Sequence, residues 1–186
     1  IQFTNQDETC RALNIKSAGT FDISDNRFYL CSAQRGGAVM FSDTNNKGGN
    51  ETLIFNGNTF ESCIATDTGC AMYLEVNLPP TFSDNKIINC RNGNRIITIV
   101  FKLEISQYIV DGFTFENNEY HNSQGNEDCG GAGFWIQNAN SRPFDYIFRG
   151  VTFKENTAYY CGGAFAFGRT ATYKQNNLLF ESCKFY

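Results

Sequence analysis

The sequence predicts an all-β chain wound as a right-handed parallel β-helix of about six coils, with three short strands per coil. Three observations carry that expectation. A short motif recurs at nearly constant spacing, a turn signal precedes each copy, and no stretch keeps a 3.6-residue apolar period.

The motif is a large apolar residue followed three positions later by Cys or Asn. It occurs as Phe28–Cys31, Phe60–Cys63, Ile87–Cys90, Phe115–Asn118, Phe153–Asn156 and Phe180–Cys183, at intervals of 32, 27, 28, 38 and 27 residues. Three residues before each anchor stand Asp25, Gly57, Asp84, Gly112, Gly150 and Asn177, all of types that tolerate left-handed backbone. Five residues before stand Ile23, Phe55, Phe82, Val110 and Phe148; Gln175 breaks the column in the last copy. After the anchor comes a small-residue corner: Gly36-Gly37-Ala38, Gly69-Cys70-Ala71, Gly130-Gly131-Ala132 and Gly162-Gly163-Ala164, each leading into an apolar strand. Each unit thus reads strand, turn, strand, Gly corner, strand, loop.

A unit of about 30 residues without a helix cannot bury its own apolar face, but stacked units can. Equivalent residues would then lie about 4.8 Å apart and form ladders. The expected ladder residues are Phe28, Phe60, Ile87, Phe115, Phe153 and Phe180, with Cys31, Cys63, Cys90, Asn118, Asn156 and Cys183. Variable coil length favours the right-handed form, because short hexapeptide repeats would mark the left-handed one. Residues 1–20 fit the repeat poorly and are expected to be a lead-in or degenerate coil, with the repeats proper over 21–186. Neither end carries a polar cap, so the chain reads as a piece of a longer β-helix or one whose ends pack on other chains.

Composition excludes several classes. With 15 Lys+Arg against 19 Asp+Glu and no basic run, nucleic acid is not an expected partner. The longest apolar run, residues 96–101, is far too short to span a bilayer. A hydrophobic fraction of 41% argues against disorder. The eight Cys include no Cys-x-x-Cys pair, so neither a zinc ribbon nor a thioredoxin-like site is expected, and no cofactor or metal is implied.

The pairing of Gly36-Gly37-Ala38-Val39, Gly130-Gly131-Ala132-Gly133 and Gly162-Gly163-Ala164-Phe165 with Phe115–Asn118 and Phe153–Asn156 resembles the repeats of the polymorphic outer-membrane proteins of chlamydiae and of similar surface proteins in some parasitic protozoa. The resemblance covers residues 21–186. It implies a β-helical, surface-displayed and often adhesive protein of the pectin-lyase-like superfold, and it supplies no catalytic residues. Cys replaces Asn in four of the six motifs, and no membrane β-barrel is present in this piece.

Buried Cys packs as a small apolar side chain, so the Cys column reads as interior filling. Rung spacing also admits disulfides. The pairs to weigh are Cys31–Cys63 or Cys63–Cys90, which exclude each other, and Cys129–Cys161. The strands after the Gly corners are apolar at both parities, so one parity must form an outward stripe or lie under loops. Trp135, Phe41 and Phe167 are the partner-contact candidates, with His121 in the longest insertion. Asn50-Glu51-Thr52 is an N-glycosylation sequon in a polar loop.

The leading expectation is a non-catalytic extracellular or cell-surface protein, acting in adhesion or as a scaffold. Its partners would be further coils or chains at its ends, and host-cell or matrix glycans. The runner-up is a polysaccharide lyase or hydrolase, for which the sequence offers no Asp-Asp, Gly-His-Gly or Arg-x-Lys motif. A third possibility is an intracellular structural assembly component, which reduced thiols would favour.

Overall fold

The computed structural model describes residues 2–4, 12–16, 19–42, 52–92, 95–103, 107–120, 133–138, 145–158, 165–167 and 177–186. Among them there are strands and turns but no helix, and every strand pairing is parallel.

One sheet contains the anchor strands, β1 (Gln2–Thr4), β4 (Arg27–Tyr29), β8 (Thr59–Glu61), β12 (Lys86–Ile88), β16 (Thr114–Glu116), β20 (Thr152–Lys154) and β24 (Lys184–Phe185). A second contains β2 (Leu13–Ile15), β6 (Val39–Ser42), β10 (Met72–Val76), β14 (Ile97–Phe101), β18 (Phe134–Asn138) and β22 (Phe165–Phe167). A third contains β5 (Ser32–Arg35), β9 (Ile64–Thr68), β13 (Arg91–Asn92), β17 (Glu119–Tyr120) and β21 (Thr157–Ala158). The strands before the anchors form two three-stranded sheets: β3 (Thr20–Ser24), β7 (Thr52–Asn56) and β11 (Thr81–Ser83), then β15 (Gln107–Asp111), β19 (Asp145–Arg149) and β23 (Asn177–Glu181).

The chain visits these walls in a fixed order, so each of the five repeats that begin at β3, β7, β11, β15 and β19 carries four strands, not the three expected. The missed strand lies between the anchor and the Gly corner. It is short and polar, as in Ser32-Ala33-Gln34-Arg35, and buries little apolar side chain. Strands β1 and β2, within residues 1–20, pair with β4 and β6.

Alternation decides which side chains enter the core. In β7 the pattern Thr-Leu-Ile-Phe-Asn buries Leu53 and Phe55 and leaves Ile54 half-buried. Phe28, Phe60, Ile87, Phe115 and Phe153 stand opposite one another in the ladder and are buried. Phe28 stacks on Phe60 at 4.7 Å and Phe115 on Phe153 at 5.2 Å, with near-parallel rings. Such pairs add about 0.5–1.5 kcal/mol beyond area burial.

The last repeat departs from the sequence expectation. Phe180 pairs with Phe148, not with Phe153, and Phe185 takes the anchor position opposite Phe153. Cys183 therefore leaves the Cys31 column. Phe180–Cys183 imitates the motif, but this register lets all five residues of β23 pair with β19 and fills the apolar column that Gln175 seemed to break. The left-handed turn accordingly falls at Ser182, φ 54°, and not at Asn177.

Corner side chains satisfy the backbone. Asn58 Oδ1 accepts the Asn26 N–H at 3.0 Å, and Asn85 Oδ1 accepts the Asn58 N–H at 3.1 Å. This ladder of Asn26, Asn58 and Asn85 gives way to Phe113, Val151 and Cys183 at the same position relative to the anchor. On the other side of the anchor strand the order is reversed. Cys31, Cys63 and Cys90 come first, then Asn118 and Asn156, with Asn156 Oδ1 accepting the Asn118 N–H at 3.1 Å.

Cys31, Cys63, Cys70 and Cys90 are buried and form no disulfide in this structure, neither Cys31–Cys63 nor Cys63–Cys90. The thiols turn to carbonyls instead: Cys63 Sγ donates to Phe28 O at 3.6 Å and Cys90 Sγ to Phe60 O at 3.7 Å. In-register parallel strands hold equivalent Cβ atoms at about the 4.8 Å strand spacing, wider than the roughly 3.8 Å a disulfide prefers. The Cys129–Cys161 pair lies outside the described residues.

Candidate functional site

The outward face of the sheet built on β6, β10, β14 and β18 carries a connected cluster of polar and aromatic side chains. Register sets Met40, Tyr73, Thr98 and Trp135 in one outward row and Ser42, Glu75 and Val100 in the next. Inward stand Val39, Phe41, Met72, Leu74, Ile97, Ile99, Phe134 and Ile136, all buried.

Glu75 is the centre of the face. Its Oε1 accepts from the Tyr73 hydroxyl at 2.9 Å and its Oε2 from Ser42 Oγ at 2.9 Å, while Lys102 Nζ lies 3.5 Å away. Burial by itself would push this carboxyl up, but the hydrogen bonds from Ser42 and Tyr73 and the Lys102 charge outweigh it. The carboxyl is held below its ordinary range and is an anion near neutral pH. Tyr73 is pushed up to about 12, by burial first and then by its bond to Glu75. Beside it, the Arg35 guanidinium lies 5.7 Å from the Tyr73 ring centroid and pairs with Asp67 at 2.7 Å. One strand further, Thr68 and Thr98 share a 2.6 Å hydroxyl hydrogen bond. Both oxygens of Glu75 accept from neighbouring side chains, so the carboxylate ties Ser42, Tyr73 and Lys102 together across three repeats.

The partner-contact candidates are placed differently from expectation. Trp135 does point outward, but it is only 7% exposed, with the Arg95 guanidinium 3.7 Å from its ring centroid. Its face is already occupied by a cation, which gives the ring a partner within the chain. Phe41 is a core residue, edge-on to Phe21 at 5.7 Å, because its parity faces inward. Phe167 is in register with Ile136, in the same column as Phe41; its side chain lies outside the description. His121 and Asn50 also lie outside the described residues.

Sequence reasoning missed Arg35, Asp67, Glu75, Arg95 and Lys102. They are single charges spread over three successive repeats, and only the register makes them neighbours. The available signal was parity: a charged residue inside a buried-looking strand, such as Glu75 in Met-Tyr-Leu-Glu-Val, marks the outward side.

Two shallow grooves follow the corners. One, of about 460 Å³, is lined by Leu30, Ser62, Ile64, Asn89 and Arg91. The other, of about 420 Å³, lies over the turns and is lined by Ser83, Asp84, Asp111, Arg149, Glu181 and Ser182, with Gly112 and Gly150 beneath. Arg149 and Glu181 pair at 2.5 Å across neighbouring repeats. Among the described residues no group of three or more His, Cys, Asp or Glu could hold a metal ion.

No protein-family model, no curated protein and no solved structure matches the chain.

Proposed function

We propose that this chain is a right-handed parallel β-helix serving as a non-catalytic scaffold at the cell surface or outside the cell, where it presents its loops and outer faces to partners. The observation that carries the reading is the direction of its ion pairs. Arg27–Glu61, Arg35–Asp67, Arg91–Glu119, Glu75–Lys102, Glu116–Lys154 and Arg149–Glu181 each bridge neighbouring repeats. Exposed pairs contribute little energy singly, about 0–1 kcal/mol. Spread along the repeats they hold register, and the charges do not converge on one reacting point. The right-handed turn follows from the near-universal hand of parallel crossovers. The resemblance of the Gly-Gly-Ala and Phe-x-x-Asn repeats to surface proteins of chlamydiae and protozoa supports display and adhesion. Glycans of host cells or matrix, and further chains or coils at the ends, are the proposed partners.

A second reading, an intracellular structural assembly, is favoured by one observation: the described cysteines form no disulfide. One experiment separates the two. Intact source cells are labelled with a membrane-impermeant amine reagent, and the protein is recovered and its free thiols counted. Strong labelling, followed by binding in a glycan and host-cell screen, is the expected result. An unlabelled protein with all eight thiols free would sink the surface reading.

A further inference from the structure

One wall of the structure is split. The sheet of β3, β7 and β11 and the sheet of β15, β19 and β23 occupy the same place in successive repeats, yet no ladder joins β11 to β15. The closing hydrogen bond of each turn locates the defect. Asp25 N donates to Asn56 O at 2.9 Å, Gly57 N to Ser83 O at 3.0 Å, Gly112 N to Arg149 O at 3.0 Å and Gly150 N to Glu181 O at 2.9 Å. The equivalent bond from Asp84 N to Asp111 O is missing. The anchor sheet, the sheet of β13 and β17 and the sheet of β10 and β14 run past this point unbroken.

The cause is in the sequence. Pro80 stands seven residues before its anchor, where the adjoining repeats have Leu53 and Tyr108. Proline has no N–H to give to a ladder and is confined to strand edges and starts. Strand β11 accordingly begins at Thr81 and has three residues where β7 and β15 have five. Three further features coincide there. The Asn26–Asn58–Asn85 ladder ends, and Phe113 takes the next place. The Tyr108 hydroxyl is buried without a hydrogen-bond partner. The turns are also displaced. A Cβ built on Gly112 would lie 2.7 Å from Asp84 N, whereas one on Gly57 would lie 3.9 Å from Asp25 N. The groove over Ser83, Asp84, Asp111 and Gly112 runs along this seam.

We infer that the β11–β15 seam is a built-in opening point: the wall parts between Ser83 and Asp111 and widens the groove above it, while the three unbroken sheets act as the hinge. Opening there breaks no ladder hydrogen bond, unlike opening at any other junction of the same wall. Its result is transient exposure of the aromatic side chains beneath, Phe82 and Phe113, which are packed on each other at 5.1 Å.

Hydroxyl-radical footprinting of the full chain, resolved by residue, tests this. Phe82 and Phe113 are compared with Phe28 and Phe60, which are also buried but lie in the anchor sheet of earlier repeats. Oxidation at least about threefold faster at Phe82 and Phe113 is expected, and Pro80→Val, which restores an N–H, is expected to remove most of that excess. Equal rates in the unsubstituted chain overturn the inference, whether or not the variant folds. So does a folded Pro80→Val chain in which the excess persists.

Discussion

Asn118 takes the place that Cys90 fills one repeat earlier, and its Oδ1 accepts the Cys90 backbone N–H at 2.8 Å. Its Nδ2 group donates to Ile87 O at 3.0 Å and to Asn156 Oδ1 at 2.9 Å. A single side chain thus satisfies groups in the repeats on both sides, inside a core where an unpaired polar group is costly.

Asn118→Ala leaves the Cys90 N–H and the Ile87 carbonyl short of a partner. A loss of about 2–3 kcal/mol is expected, seen as a lower urea midpoint with unchanged slope. Asn118→Cys, which the same column accepts at Cys90, is expected to cost less than Asn118→Ala. The reverse ranking would remove the ladder from the account of stability.

The glycines rank by what a methyl group would meet. A Cβ on Gly37 would lie 2.3 Å from both Ile64 O and Cys70 O, which are backbone atoms that cannot step aside. Gly37→Ala is expected to cost more than about 3 kcal/mol or to prevent folding. Gly150→Ala meets nothing within 4 Å and carries only the strain of φ +59°, about 1 kcal/mol. Thermal melts of the two variants would separate them by many degrees.

Stability should fall at both ends of the pH scale, for different reasons. Glu75 is held below its ordinary range in the folded chain, so its contribution is present above about pH 4.3 and is lost as pH falls through the lower folded value. Tyr73 and Tyr146 are pushed up to about 12, Tyr146 by burial alone, so the folded state is favoured fully below about pH 10 and loses that advantage as pH rises toward 12. Melting temperature against pH, with and without Tyr73→Phe, checks the alkaline limb; the variant should decline less steeply.

The cysteines should differ in reactivity. Burial pushes the Cys70 and Cys90 thiols up, and neither is exposed. Under native conditions they are expected to resist alkylation, while the half-buried Cys183 reacts first among the described cysteines. Mass mapping after brief labelling reads this directly. A Cys31–Cys63 or Cys63–Cys90 cross-link in that map would contradict the free-thiol ladder.

Legibility in the sequence followed backbone demand. The left-handed turn at Asp25, Gly57, Asp84, Gly112 and Gly150 was readable because few residue types tolerate that geometry. A second left-handed column, at Leu30, Ser62, Asn89, Asn117 and Glu155, was not, because Leu and Glu give no hint of it. The candidate site was hardly legible at all. Glu75, Lys102, Ser42 and Arg35 are scattered along the chain, and Trp135 looked like a free ring because its cover, Arg95, belongs to the preceding repeat.

The amino-acid sequence by itself determined that the chain is β-structured and repetitive, where one of its two left-handed turn columns lies over five repeats, and which columns are apolar. Those properties are local: a steric limit on one backbone position, or a two-residue alternation along one strand. Only the tertiary structure decided the register of the last repeat, the burial of Trp135 and the seam at Pro80. Each of these depends on which residue lies one repeat away, and ladder hydrogen bonding with core burial selects that pairing over the whole length of a strand.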